Sequence, residues 1–262
     1  MFKRVLSLIL LAFLFSTTTM AQDYLHPYSI YGIGIDKPQV HVNNMAMGGL
    51  SIAMTDRFNF SPTNPATYSF NEFTSFNVAL NTKFQFLEGS GQEFSSSHPT
   101  FGYMNLGLPL YNMNKFFKKI SLATSLGLMP VSSIGFRDEY NHYDAVDSLS
   151  YDEVFYELGG FSKFYIGLSF NPFKNFYIGA NAYYLFGNID KSHFLEFSNS
   201  DYQSSIEETR RNYYSVGFDF GAIYKQPIGD DHHLTLGATF ALPPTLNASS
   251  DVITRTYEQG VG

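Results

Sequence analysis

The chain has 262 residues, a formal net charge of −7 and no cysteine, and 18% of its residues are aromatic. Without cysteine it has no disulfide, no thiolate metal site and no lipid anchor on cysteine. The net charge is negative, whereas nucleic-acid-binding proteins typically carry a basic surface, so no nucleic-acid partner is expected.

Residues 1–21 have the three-part pattern of a secretory signal peptide. Lys3 and Arg4 precede an apolar run from Val5 to Phe15, and Ala21 stands at the predicted cleavage position. The apolar run is shorter than the roughly 20 residues that a membrane-spanning helix needs. We therefore predict that the chain is exported and that residues 1–21 are removed.

Residues 22–72 do not alternate as strands do, and they contain the proline-rich stretch SPTNPATY at residues 61–68. Proline lacks the backbone donor that a β-ladder needs. Irregular chain at membrane depth is tolerated only where protein surrounds it or where it lines a wet cavity. We predict that residues 22–72 form a hatch inside a barrel, tied to the wall by the Asn64 amide. An ordinary periplasmic extension is the alternative.

From residue 73 onward, apolar and polar residues alternate with a period of two. This alternation predicts strands with one apolar and one polar face, and we count about seven of them in residues 73–262. The apolar faces include Phe76, Val78, Leu80, Phe84 and Phe86; Leu122, Leu126 and Leu128; Phe164, Ile166, Leu168 and Phe170; Tyr214, Val216, Phe218, Phe220 and Tyr224; and Leu234, Leu236 and Phe240.

Two architectures use such strands, a soluble sandwich and an outer-membrane barrel. Tyr214 and Tyr224 bracket an apolar stretch whose tilted length of about 23 Å matches a lipid-facing band. The polar faces carry Gly, Ser and Asn with few charges. Both features favour a transmembrane antiparallel β-barrel in a Gram-negative outer membrane, in contact with its lipid.

The lengths of the connections alternate, as periplasmic turns and extracellular loops do in barrels. Residues 112–118, 171–175 and 227–231 are predicted to be short turns, and residues 88–98, 137–152 and 198–208 long extracellular connections. Residues from 247 onward then form an extracellular loop, although residues 251–258 could hide an eighth strand. Because bacterial barrels have an even number of strands, we expect an incomplete barrel.

The run from Ala46 to Asp56, followed by Asn64, Pro65 and Ala66, resembles the hatch of the FadL-like outer-membrane transport family. The resemblance covers residues 45–68, and the strand pattern extends it loosely to residue 246. It implies a hatch motif of Asp56, Asn64, Pro65 and Ala66. It also implies a plugged barrel that moves apolar small molecules such as long-chain fatty acids.

The resemblance further suggests a lateral gate at Pro130, Ser132 and Ser133. A proline inside a strand breaks pairing with a neighbour, and in this family such a break opens a path into the lipid. A bulge or strand end at the barrel rim is an equally good explanation.

The function that this resemblance implies is passive uptake of hydrophobic compounds. Inward-facing residues that could line the route are Tyr165, Tyr177, Tyr183, Leu185 and Ile223. Two alternatives stay open: a binding or shuttle component of a protein secretion system, with a secretion partner, and a structural barrel with a sealed lumen.

We find no catalytic constellation in the sequence. There is no serine elbow, no phosphate-binding glycine loop and no paired histidine motif. We therefore expect neither an enzyme nor a cofactor or metal site.

Overall fold

The computed structural model describes residues 26–89, 92–110, 121–144, 149–173, 175–199, 201–229 and 232–257. The predicted signal peptide and the predicted turn at residues 112–118 lie outside these ranges. No helix in them is long and apolar enough to cross a membrane. The strands are β1 (Ile35–Asp36), β2 (Ser75–Gly89), β3 (Gln92–Pro109), β4 (Leu122–Asp144), β5 (Leu149–Phe173), β6 (Phe176–Phe197), β7 (Ser204–Ile228), β8 (His232–Leu242) and β9 (Asn247–Tyr257).

Strands β2 to β8 follow one another in one antiparallel sheet that curls into half of a barrel. The predicted all-β, incomplete antiparallel barrel is confirmed. Because neighbours in the chain are neighbours in the sheet, the connections are hairpins. We call the end of the sheet where β5 leads into β6 and β7 leads into β8 the lower end, and the opposite end the upper end.

β8 and β9 act as one interrupted strand along β7. β8 pairs with the lower part of β7 from Phe218 to Ile228, and β9 pairs with the upper part from Ser204 to Tyr214. Residues 243–246 separate the two, and they include Pro243 and Pro244, which cannot donate to a ladder. The prediction that residues from 247 onward form a loop is wrong. The alternative, a strand within residues 251–258, is correct, although the strand begins earlier, at Asn247.

The long polar connections were also predicted wrongly, because paired strands run through most of them. β4 continues to Asp144 and β5 begins at Leu149, so their hairpin occupies most of residues 137–152. The strands likewise extend into residues 88–98 and 198–208. Polar sequence suggested loops, but a β-ladder is built from backbone groups and tolerates polar side chains on both faces when both faces are wet.

The convex face of the lower half is apolar and exposed. Phe164, Ile166 and Leu168 of β5 are 46%, 54% and 48% exposed, and Val216 and Phe218 of β7 continue this surface. All strands of the described chain belong to one sheet, so no second layer covers this face. A sandwich is thereby excluded, and the wall has the apolar outer surface that lipid contact requires.

The long strands continue well above this apolar band. β5 has 25 residues, which span about 58 Å at about 3.3 Å per residue and a tilt of about 45°. The apolar band of an outer-membrane barrel is only about 25 Å tall. We call the polar upper parts, residues 134–144, 149–160, 187–197, 204–213 and 247–257, the extension.

Residues 26–72, which we call the N-terminal segment, lie on the concave side of the sheet. They contain a short helix α1 (Val42–Met45) and two 3₁₀ helices, Pro27–Ile30 and Pro65–Phe70. The first 3₁₀ helix lies at β4, where the His26 N–H donates to the Gly135 carbonyl at 2.7 Å. The second packs against β5, β6 and β7. The segment therefore follows the inner wall from the extension to the lower end.

Candidate functional site

Buried hydrogen bonds connect the N-terminal segment to the concave wall, and Asn64 lies at the centre of this interface. The Asn64 side chain is completely buried. Its Oδ1 accepts from the Ala66 N–H at 3.0 Å and so caps the 3₁₀ helix. Its Nδ2 donates to the Ile52 carbonyl at 2.7 Å, with a longer contact of 3.5 Å to the Ala222 carbonyl of β7. One amide thus joins the turn, the chain before it and the wall.

Tyr68 extends this anchor to β6. Its hydroxyl donates to Asn181 Oδ1 at 3.0 Å, and Asn181 Nδ2 donates back to the Pro62 carbonyl at 3.3 Å. Burial raises the pKa of Tyr68 well above its ordinary value, so the phenol keeps its proton and remains a donor. The two side chains therefore fasten both ends of the proline-rich turn to one strand.

Serines and a second asparagine of the wall make the corresponding contacts with β5 and β3. Ser69 Oγ and Ser169 Oγ lie 2.6 Å apart, and Ser169 also donates to the Ala66 carbonyl at 3.1 Å. On β3, Asn105 Nδ2 donates to the Phe60 carbonyl at 3.1 Å. Backbone carbonyls of an irregular segment need such donors when they are buried.

Two inner-face glycines let the segment approach the wall closely. A β-carbon on Gly221 of β7 would collide with Asn64 Oδ1 and would lie 2.9 Å from Pro65 Cδ. A β-carbon on Gly107 of β3 would collide with the Phe60 ring. Both positions therefore require the absence of a side chain.

A hydrophobic cluster fills the space beside these polar contacts. Phe60 and Tyr68 pack with residues of the wall, and Phe60 is completely buried. The wall contributes Ala79, Tyr103, Ala123, Met129 and Tyr165. This core joins the segment to the barrel wall, whereas the barrel's other apolar face is turned outward.

The residues of the predicted lateral gate lie where β1 joins the sheet. The β4–β5 ladder is irregular between Pro130 and Ser132, and β1 pairs Ile35 with Ser133 and Asp36 with Ser132. β3 pairs with β4 only from Met104 to Pro109. β1 pairs with part of the β4 edge that has no partner in β3. The gate itself stays a prediction.

The residues predicted to line a lumen route are distributed along the interface. Tyr165 and Ile223 are buried beneath the N-terminal segment, and the Tyr177 ring lies 4.1 Å from that of Phe70. Leu185 belongs to a second buried cluster higher on the wall, against which Tyr183 packs. Asp56 of the predicted hatch motif accepts from the Phe58 N–H and from Asn59 Nδ2, and so organises a local turn.

Because of His41, we expect the stability of this interface to depend on pH. Its ring is buried, Nδ1 accepts from the Asn43 N–H, and Nε2 has no hydrogen-bond partner within the described residues. Burial lowers the pKa of His41, while Asp56 opposes this shift. The unfolded segment takes up the proton first, so stability is complete above the ordinary histidine pKa of about 6.5 and is lost as the pH falls below it.

We therefore expect protease cleavage within residues 26–72 to accelerate at mildly acidic pH. His41→Gln should flatten this pH profile, measured by limited proteolysis with an acid-tolerant protease. An unchanged profile in the variant would show that another group is responsible.

Sequence reasoning found Asn64 but missed Asn105, Asn181, Ser169 and Phe60. Their partners lie 45 to 119 residues away in the chain. The available signal was the small and amide residues on the polar strand faces.

The model of the BamG family matches residues 1–260, whereas no curated protein and no solved structure matches the chain. The resemblance to the FadL-like transport family is therefore wrong, because it rested on a motif at residues 45–68. BamG is associated with the BAM complex, which implies an outer-membrane-associated location and an outer-membrane protein partner. The match spans nearly the whole sequence, and the chain belongs to the BamG family.

Proposed function

We propose that this protein is a non-enzymatic, integral outer-membrane component of a protein-assembly or secretion complex. In this role the barrel wall sits in lipid, the N-terminal segment plugs its interior, and the extension contacts the partner. The family match supports the partnership, and the apolar convex face supports the insertion.

The hydrogen-bonded interior is the observation that carries the proposal. An apolar ligand that crossed this interior would have to displace Asn64 and Tyr68 from their partners. Asn181 and Ser169, both buried, would then lose hydrogen bonds. Each unpaired buried group costs about 1–3 kcal/mol, and an apolar ligand forms no hydrogen bond that would offset this cost. This favours a structural plug over the passive uptake suggested by the overturned resemblance.

The extension offers a surface suited to a protein partner. Its outward face carries ion pairs such as Arg210 with Asp190 at 2.7 Å and Arg137 with Glu139 at 3.5 Å. Exposed pairs like these contribute little to stability, but they can guide association and set its specificity.

Co-purification tests the proposal. An affinity-tagged full chain, extracted from native membranes in mild detergent, should bring BAM-complex proteins with it. The double variant Arg137→Glu with Arg210→Glu should weaken that association, because it reverses two charges on the extension. Arg57→Glu makes the same kind of reversal in the N-terminal segment and serves as the matched control.

Recovery of the chain alone from membranes that contain the complex would contradict the proposal. Loss of the partner only in Arg57→Glu would move the contact away from the extension. Uptake of decanoate by liposomes that contain the purified chain would revive the transport hypothesis.

A further inference from the structure

A cavity of about 480 Å³ lies on the concave side of the extension, above the N-terminal segment. Ile30 of the first 3₁₀ helix is part of its lining, together with side chains from β4 to β7. The volume is in the range of ligand sites, about 300–1,000 Å³. None of the candidate site residues predicted from the sequence lines it.

One wall of the cavity is an ordered aromatic surface. The Phe155 ring stacks on His193 with a centroid distance of 4.4 Å and an angle of 7°. Tyr140 meets Phe155 edge-on, at 6.2 Å and 78°, and Tyr140 remains 47% exposed. The three rings come from three neighbouring strands and hold one another in place. A ligand that stacks on them has little side-chain entropy to remove.

His193 is held in position from its other side. Its Nε2 lies 2.8 Å from Glu153 Oε1, and His142 Nε2 lies 3.2 Å from Glu153 Oε2. One carboxylate therefore orients two imidazoles across β4, β5 and β6. This arrangement fixes the ring on which Phe155 stacks.

The rest of the lining is charged but balanced. Glu157 is buried and pairs with Lys191 at 2.8 Å, while Glu207 and Arg211 face the cavity from β7. The lining thus combines two carboxylates with two cations. It has hydrogen-bond acceptors and donors in similar numbers, and its net formal charge is zero.

This combination selects the chemistry of the occupant. An acyl chain would strip water from four charged groups without replacing it. An anion would face two carboxylates, and a cation would face Lys191 and Arg211. An uncharged molecule with many hydroxyl groups and a flat apolar face meets every requirement: it can stack on the rings while it donates to carboxylates and accepts from the cations.

We propose that this cavity binds a neutral sugar unit of a glycan at the upper end of the barrel. Tyr140 provides the stacking face, which Phe155 and His193 hold in place, and Glu207 and Arg211 bind hydroxyl groups. The site is independent of the anchor at Asn64 and does not depend on the proposed assembly role.

Calorimetry on the full chain in detergent tests this site with a panel of short gluco-, manno- and galacto-oligosaccharides. At least one member should bind, and Tyr140→Ala should weaken that binding about tenfold by removing a stacking face. Glu207→Gln, which leaves the rings intact, should weaken it about tenfold as well by removing a charge-assisted hydrogen bond.

Tyr143→Ala is the matched control, because Tyr143 is an exposed tyrosine on the same strand and the opposite face. It should leave binding unchanged. The proposal is overturned if no member of the panel binds, if Tyr140→Ala binds as well as the unaltered chain, or if only sodium decanoate or a short peptide binds.

Discussion

A Gly221→Val variant should fail to seat its N-terminal segment, and this is the largest effect we expect from a single inner-face substitution. The valine side chain would occupy the space of Asn64 Oδ1 and would press on Pro65. Overpacking alone costs about 1–3 kcal/mol, and displacing Asn64 adds about 1–3 kcal/mol for each buried group left unpaired. Limited proteolysis of the detergent-solubilised protein should then cleave residues 26–72 while the strands resist.

Ala222→Val provides the matched control for this experiment. Ala222 is the next residue of β7 and its side chain lies on the convex face, so the added methyl groups enter lipid or detergent. The control should show the protease resistance of the unaltered chain. Equal resistance in Gly221→Val would mean that the segment does not depend on this close approach.

The wall of the barrel could be predicted from sequence because its signal is local. In the lower half of β5, every second residue from Phe164 to Phe170 is apolar and faces outward. An apolar outer face appears directly as an alternation of consecutive residues, so no knowledge of distant partners is needed. The same reasoning correctly separated the barrel from a sandwich.

The extension could not be predicted in this way, because water imposes no such alternation. Residues 137–144 carry charges and aromatic rings on both faces and read as a loop. They pair with residues 149–156 nevertheless, since the backbone ladder depends on register and not on the polarity of side chains. β9 was predicted only as an alternative for the same reason: Asp251 and Arg255 suggested a solvated loop, but their backbones pair with Arg210 and Ile206.

Only part of the candidate site could be predicted from the sequence. Asn64 could be found because it stands between two prolines of an irregular stretch, where a side-chain amide can both donate and accept hydrogen bonds. Asn181 and Ser169 carry no such signal, since their meaning lies in contacts with Pro62 and Ala66 more than 100 residues away. Only the folded sheet brings these groups together.

The error over the family has a physical explanation. The Asn64-Pro65-Ala66 sequence begins a capped 3₁₀ helix that lies flat against the wall of a barrel. Any barrel plugged from its N-terminus faces the same need to satisfy buried backbone groups at a tight turn. The motif therefore indicates how an N-terminal plug is attached to the barrel wall. It does not indicate whether a molecule is transported past the plug.

Phe218→Arg should block stable insertion into a bilayer, because it places a cation in the middle of the apolar band of β7. Phe218 is exposed on the convex face, between Tyr214 and Tyr224. An arginine near the midplane on the lipid side of a barrel costs about 2–4 kcal/mol. Folding into liposomes of defined chain length, followed by heat-dependent gel mobility, should show a much smaller folded fraction than for the unaltered chain.

Asn212→Arg separates this cost from a general effect of charge. Asn212 lies on the same face of the same strand, above Tyr214, where the extension begins. Near the interface an arginine costs only about 0–1 kcal/mol, so this variant should insert normally. If both variants inserted equally well, the convex face would not be in lipid. The half-barrel would then have to cover its aromatic rings against protein, and the integral-membrane part of the proposed function would fail with it.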